Sequence, residues 1–139
     1  MNLRIEILPW AAARDAARAI RSAVFIAEQH VPEELEWDKF DELSWHALAW
    51  VDDEPVATGR LLPDGHIGRM AVQAPWRALG VGAAVFAAIM VVARRNGHRT
   101  LLLHSQTRAT GFYARFGFVP EGPEFEEAGI PHMLMRRNL

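Results

Sequence analysis

The sequence predicts a mixed α/β fold, a mixed sheet with helices on its faces. Three observations carry this. Leu3, Ile5 and Ile7 alternate with Arg4 and Glu6, which is the two-residue period of a strand. An alanine-rich stretch follows, with Arg14, Asp15, Arg18 and Arg21 spaced as one solvated stripe of a helix. Later, the run from Ala78 to Ala93 carries no charge and almost no polar face, the mark of a helix buried among other elements.

The elements follow in order. The first strand gives way to a helix from Ala11 to about Ala27. The segment EQHVPEELEWDKFDELS then breaks the pattern. It places Glu28, Glu33, Glu34, Glu36, Asp38, Asp41 and Glu42 against a single Lys39, with Pro32 interrupting any helix. Such a segment reads as a solvated loop, or alternatively as an acidic patch that attracts a cationic substrate. WHALAWV and PVATGRLL flank the turn residues DDE as a hairpin, and HIGRMAVQ reads as another strand. A helix begins near Leu79 to Gly82; Arg94 and Arg95 sit in its last turn and Asn96-Gly97 ends it. RTLLLHS is a buried strand, a helix from about Thr107 to Phe116 closes at Gly117, and HMLMRR is a final strand. Neither repeats nor linkers interrupt the chain, so residues 1–139 are expected to form one domain.

Composition narrows the function. Half the residues are hydrophobic and 23% are charged, the balance of a folded globular chain. A net charge of −2 supplies no field that would gather nucleic acid. The chain has no cysteine, which removes disulfides, thiolate metal sites and a cysteine nucleophile, and suits a reducing compartment. Arg4 and Glu6 interrupt the N-terminal apolar stretch, so it is not a signal peptide. The run from Ala78 to Ala93 falls short of the roughly 20 apolar residues that span a membrane. The expectation is a cytoplasmic protein without membrane or nucleic-acid partners; a homodimer is compatible with the sequence. The six histidines show neither an HxH nor an i,i+4 pair, so no metal site is expected.

The chemistry concentrates in PWRALGVGA. The first N–H groups of a helix lack internal partners and carry roughly half a positive charge. Gly80 and Gly82 keep side chains off those amides, and Arg77 adds a planar cation suited to phosphate oxygens. The result is an anion site, most naturally for a pyrophosphate. The alternative is a tight strand-to-helix turn whose glycines serve only the backbone. A dinucleotide fingerprint fails because Val85 stands at the third glycine position and no acid lies near Thr100; a Walker-type loop fails for want of Gly-Lys-Ser/Thr.

IGRMAVQAPWRALGVGA resembles the acyl-CoA signature of the GNAT superfamily of N-acetyltransferases, a strand followed by a Q/R-x-x-G-x-G/A loop and a long helix. Arg77-Ala78-Leu79-Gly80-Val81-Gly82 matches the loop, with Ala78 where a glycine is more usual. ATGFYARFGF resembles the family's later helix, with Tyr113 ahead of Gly117-Phe118; Gln106 stands where an asparagine is frequent. IRSAVFIAEQHVP, DKFDELSWHALA and EEAGIPHMLM resemble a bacterial branch of the superfamily whose substrates are largely unassigned.

The resemblance implies a mostly antiparallel sheet with a V-shaped cleft between two splayed strands, and acetyl-CoA as co-substrate in it. Met70, Ala71 and Val72 would offer backbone groups to the pantetheine arm, with Gln106 as a further contact. Arg77, Ala78, Leu79, Gly80, Val81, Gly82 and Ala83 would wrap the pyrophosphate. The implied reaction is direct attack of a primary amine, on a small molecule or a protein, upon the thioester. An alkylammonium of pKa about 10.4 must lose its proton, which costs about 4.6 kcal/mol at pH 7. Glu28 is the choice for a base or substrate carboxylate among Glu28, Asp41, His46, His104, Glu127 and His132, with His104 expected as a hydrogen-bonded core histidine. Tyr113 would donate a hydrogen bond to the departing thiolate; its full transfer of a proton is uphill by about 2 kcal/mol if unperturbed. Phe112 and Phe116 already fill the apolar stripe, which leaves the Tyr113 hydroxyl off its centre and free; packing in the core is the competing role. A domain that only binds or senses acyl-CoA is the rival class. A pocket for a longer acyl group, lined by Met70, Phe112 and Met133, is a further alternative.

Overall fold

The computed structural model describes residues 2–139. Seven strands form one sheet in the order β1-β2-β3-β4-β5-β7-β6. They are β1 (Leu3–Pro9), β2 (Trp45–Val51), β3 (Glu54–Leu61), β4 (His66–Val72), β5 (Thr100–Gln106), β6 (Val119–Glu127) and β7 (Ile130–Asn138). Every neighbouring pair is antiparallel except β4 and β5, which are parallel. The mixed, mostly antiparallel sheet with helices on both faces is the expected fold.

Alternation along β2 shows how one strand serves two layers. Ala47, Ala49 and Val51 join Val85, Phe86 and Ile89 of helix α3 (Val81–Arg95) in the larger core. Leu48 points the other way, into a second core with Ala13, Ala17 and Ile20 of helix α1 (Trp10–Arg21). Helix α3 is not buried on all sides as its composition predicts. Val81, Val85, Phe86, Ile89, Met90 and Ala93 form its packed face, while Ala87 and Val91 are exposed. Alanine is a strong helix former with little surface to hide, so an alanine-rich outer face reads as apolar without needing a partner.

Two sequence expectations change. First, the first helix continues past α1 as a π-helical segment, Ser22–Glu28, which places Glu28 at its C-terminal end. π-turns of this kind concentrate at functional sites. Second, the acidic segment is neither a simple solvated loop nor a free anionic patch. It contains the short helix α2 (Glu33–Glu36) and a 3₁₀ turn, Asp41–Leu43. Arg21, read from spacing as part of a solvated stripe, is 1% exposed. Its guanidinium donates to Glu36 Oε2 at 2.7 Å, to Asp41 Oδ1 at 2.7 Å and to the Glu36 carbonyl at 3.0 Å. Arg60 donates to Asp38 at 2.7 and 2.9 Å and to Asp41 at 2.9 Å. Three of the seven acids are thus consumed by arginines from α1, β3 and β4. Burial pushes the Glu36 carboxyl up, against the pull of Arg69 and Arg21.

The network reaches the strand that opens the cleft. Gly59 faces the β3–β4 register shift, where β4 bulges at Arg69, whose φ is +53°. Arg69 donates to the carbonyls of Leu35 and Glu36 and to Asp38 at 3.2 Å, which ties the bulge to the acidic segment. Among the described residues no helix is long and apolar enough to cross a membrane.

Candidate active site between β4 and β5

Strands β4 and β5 pair only at His66↔Leu102 and Ile67↔Leu103. Beyond Ile67 the β5-facing edge of β4 has no strand partner, so Met70, Ala71 and Val72 lie on one wall of a V-shaped opening. The Met70 side chain packs into the α3-side core, as does Phe112. Neither they nor Met133 line the cavity described below.

At the C-terminal end of β4 the chain passes through a 3₁₀ turn, Ala74–Trp76, into the glycine loop and α3. Gly80 caps α3 with φ +83°, a left-handed conformation that costs a residue with Cβ about 1–2 kcal/mol. Gly82 answers to space: a Cβ there would stand 3.3 Å from Val72 Cγ2. Both glycines therefore have backbone reasons to be present, and the same turn leaves the first amides of α3 bare of side chains. The first bonded amide of the helix is that of Ala84, which donates to the Gly80 carbonyl at 3.1 Å. Among the described residues, the N–H groups of Val81, Gly82 and Ala83 have no backbone partner.

Ala78 shows what the departure from glycine costs. Its φ is +62°. Ala78→Gly is expected to raise Tm by a few degrees, because relief of about 1–2 kcal/mol of strain outweighs glycine's extra entropy of about 0.5–1 kcal/mol. A thermal melt checks this; a lowered Tm contradicts it.

Arg77 and Glu28 meet across the opening. Arg77 Nη1 and Nη2 donate to the two Glu28 carboxylate oxygens at 2.6 and 2.7 Å, while its Nε donates to the Val72 carbonyl at 2.9 Å. The hydrogen-bonded guanidinium holds the Glu28 carboxyl below the usual carboxylate range. In this state Glu28 is a weak proton acceptor, and Arg77 is clasped by its carboxylate.

Tyr113 lies on the short helix α4 (Thr110–Ala114), entered through a 3₁₀ turn, Thr107–Ala109. Its ring is not off the aromatic stripe: its centroid lies 5.2 Å from that of Phe86 and 5.0 Å from that of Phe112, and Phe112 and Phe116 pack on the same Phe86 ring. Its hydroxyl has no hydrogen-bond partner among the described residues, and burial pushes the phenol pKa up to about 12. Complete proton transfer to a thiolate of pKa about 8.5 is therefore uphill by about 5 kcal/mol, which leaves hydrogen-bond donation as the chemistry the hydroxyl can offer.

The remaining base candidates sort by position. Asp41 is committed to Arg21 and Arg60. His46 donates from Nε2 to the Asp41 carbonyl at 2.8 Å, and burial lowers its pKa. His104 is not a core histidine: its side chain is 41% exposed and its Nδ1 lies 2.9 Å from Glu127. His132 is buried beside the same carboxylate, at 3.7 Å, and donates from Nδ1 to the Ile130 carbonyl. Of the six candidates only Glu28 lines the cavity at the open end of the cleft.

That cavity, about 650 Å³, is walled by the end of the π-helical segment, the end of β5 and the facing turns of β6 and β7. Sequence reasoning missed Gln29, Thr107, Arg108 and Glu124 there. They come from three separate segments, the residue after the π-helical segment, the turn after β5 and the middle of β6, and share no period; the available signal was QTR directly following a strand, where α/β sites gather. Gln106, assigned from the resemblance to the pantetheine arm, sits in the same wall. Its Nε2 donates to Gln29 Oε1 at 2.8 Å and its Oε1 accepts from Arg108 Nε at 3.1 Å.

A model of the acetyltransferase (GNAT) domain matches residues 11–139. The chain belongs to the GNAT acetyltransferase family. YyaT, an uncharacterized Bacillus subtilis protein, is 38% identical over 129 residues, 88% of this chain and 87% of its own. An acyl-CoA N-acyltransferase from Pseudomonas aeruginosa superposes with a TM-score of 0.89 at 29% identity, covering 98% of this chain and 99% of that one. Escherichia coli ElaA superposes with a TM-score of 0.88 at 28% identity, over 98% of this chain and 99% of its own. As GNAT members act with an acyl-CoA and an acceptor, this chain is an acyl-CoA-dependent acyltransferase by family.

Proposed function

We propose that this GNAT protein moves an acetyl group from acetyl-CoA to a primary amine by direct attack in a ternary complex. The observation that carries the reading is the run of unpartnered N–H groups at Val81, Gly82 and Ala83, set at the mouth of the β4–β5 opening. These donors, with Arg77, fit a diphosphate; the free edge of β4 at Met70 to Val72 fits the amides of a pantetheine arm. Acetyl-CoA supplies the activated acyl group. The amine nitrogen bonds to the thioester carbon, the C–S bond breaks, one proton leaves the nitrogen and the thiolate gains one.

The residues divide that work unequally. Tyr113 supports the leaving sulfur by donating a hydrogen bond. Full proton transfer from an alkylammonium to a carboxylate that Arg77 holds below its usual range is steeply uphill, so Glu28 serves better to hold and orient the amine than to deprotonate it completely. Arg77 turning its donors toward phosphate oxygens leaves Glu28 free for that task. Glu28→Gln is accordingly expected to tighten CoA binding by about two- to fivefold, the value of an exposed ion pair that no longer competes for Arg77. Calorimetry with CoA reads the change; weaker binding contradicts the competition.

Purified protein mixed with acetyl-CoA and a panel of amines is expected to release free CoA faster than buffer alone. Binding of acetyl-CoA without release across the panel would instead support a sensing module.

A further inference from the structure

The cavity at the open end of the cleft carries three charged side chains, Glu28, Arg108 and Glu124. Glu28 and Arg77 neutralise one another in a bidentate pair. Arg108 and Glu124 line the same cavity yet form no ion pair with each other or with any other described residue. Each is held in place on one side only. Arg108 Nε donates to Gln106 Oε1, and Gln106 is in turn fixed by Gln29, so the guanidinium is braced by a two-amide relay. Its Nη1 and Nη2 have no partner among the described residues, and those two nitrogens are the edge that takes a carboxylate in a forked pair. Glu124 Oε1 accepts from the Thr107 hydroxyl at 3.0 Å, while Oε2 has no partner.

A braced cation with a free fork and a carboxylate with a free oxygen, in one cavity, are complementary to a molecule that bears both charges. Ile130 and Pro131 add an apolar wall beside them. A volume of about 650 Å³ is ample for an amino acid with its side chain. Resting on the acyltransferase reading above, we propose that the acceptor is a zwitterionic aminocarboxylate: its carboxylate pairs with the Arg108 fork, and its ammonium faces Glu124 together with Glu28 once Arg77 has turned to the diphosphate; as the nitrogen attacks the thioester it gives up one proton and the departing thiolate gains one.

The test compares leucine with leucinamide, which keeps the amine and side chain but lacks the carboxylate. CoA release is followed for the full chain and for Arg108→Gln and Glu124→Gln, and the ratio of kcat/KM for leucine to that for leucinamide is taken within each variant, which cancels the different basicities of the two amines. The same comparison with γ-aminobutyrate and its amide covers acceptors whose two charges stand further apart. Arg108→Gln is expected to lower the acid-to-amide ratio about 10- to 100-fold, the worth of a charge-assisted pair. Glu124→Gln is expected to depress both substrates together and leave the ratio in place. An acid-to-amide ratio that Arg108→Gln does not move, for both pairs, overturns the proposal while leaving the transferase reading intact. Absence of CoA release from every amine, with acetyl-CoA still bound, overturns both.

Discussion

Tyr113→Phe is expected to slow acyl transfer by about 10- to 100-fold while leaving CoA affinity and stability nearly unchanged. The rate loss is the value of one hydrogen bond made to charge that develops only as the C–S bond breaks. Among the described residues the hydroxyl has no partner, so its removal strands none of them, and the ring stays within the Phe86, Phe112 and Phe116 cluster. Tm should hold or rise slightly. The pH dependence adds a second reading: with the phenol near 12, no alkaline limb assignable to Tyr113 should be seen below about pH 10. Kinetics that match the parent protein would remove Tyr113 from the mechanism and return it to the core-packing role.

Arg21→Ala is expected to have the largest effect on stability of any substitution considered. Its guanidinium serves two carboxylates that are each 4% exposed, and its loss leaves Glu36 to Arg69 and Asp41 to Arg60, with one buried negative charge in excess among Glu36, Asp38 and Asp41. Breaking a buried pair from one side costs about 3–5 kcal/mol, and for a chain of this size that is roughly 10–20 °C in Tm. Arg14→Ala, on the exposed face of the same helix beside exposed Asp15, serves as the control and should shift Tm by no more than a degree or two. Equal shifts for the two would contradict the buried network. Because Arg69 ties Glu36, one of Arg21's two carboxylates, to the β4 bulge, CoA binding by the Arg21 variant should weaken at temperatures where the fold persists.

The parts legible in the sequence are those written in local patterns. Alternation marked the first strand, glycine spacing and the Arg94-Arg95-Asn96-Gly97 ending bounded α3, and the motif around Gly80 and Gly82 located the unpartnered amides at the mouth of the cleft. The parts that escaped depend on pairings between distant segments. Nothing local distinguishes Arg21 from Arg18, since both sit at helical spacing; only the fold brings Glu36 and Asp41 to one of them. The acidic run reads as solvated because its counter-charges lie in α1, β3 and β4. Arg108 and Glu124 escaped for the same reason: their shared cavity is assembled from segments far apart in sequence. Tyr113 was placed by helical angle as if α4 were long and regular, but five residues behind a 3₁₀ turn do not hold that geometry.

Everything functional here depends on the amides of Val81, Gly82 and Ala83 binding a diphosphate. Titration of nitrogen-15-labelled protein with CoA, followed by amide proton shifts, tests this most directly. The account predicts that those three amides move downfield and are among the most perturbed in the spectrum, with Met70 to Val72 moving as well. Amides at 81–83 that stay in place at saturating CoA would contradict it.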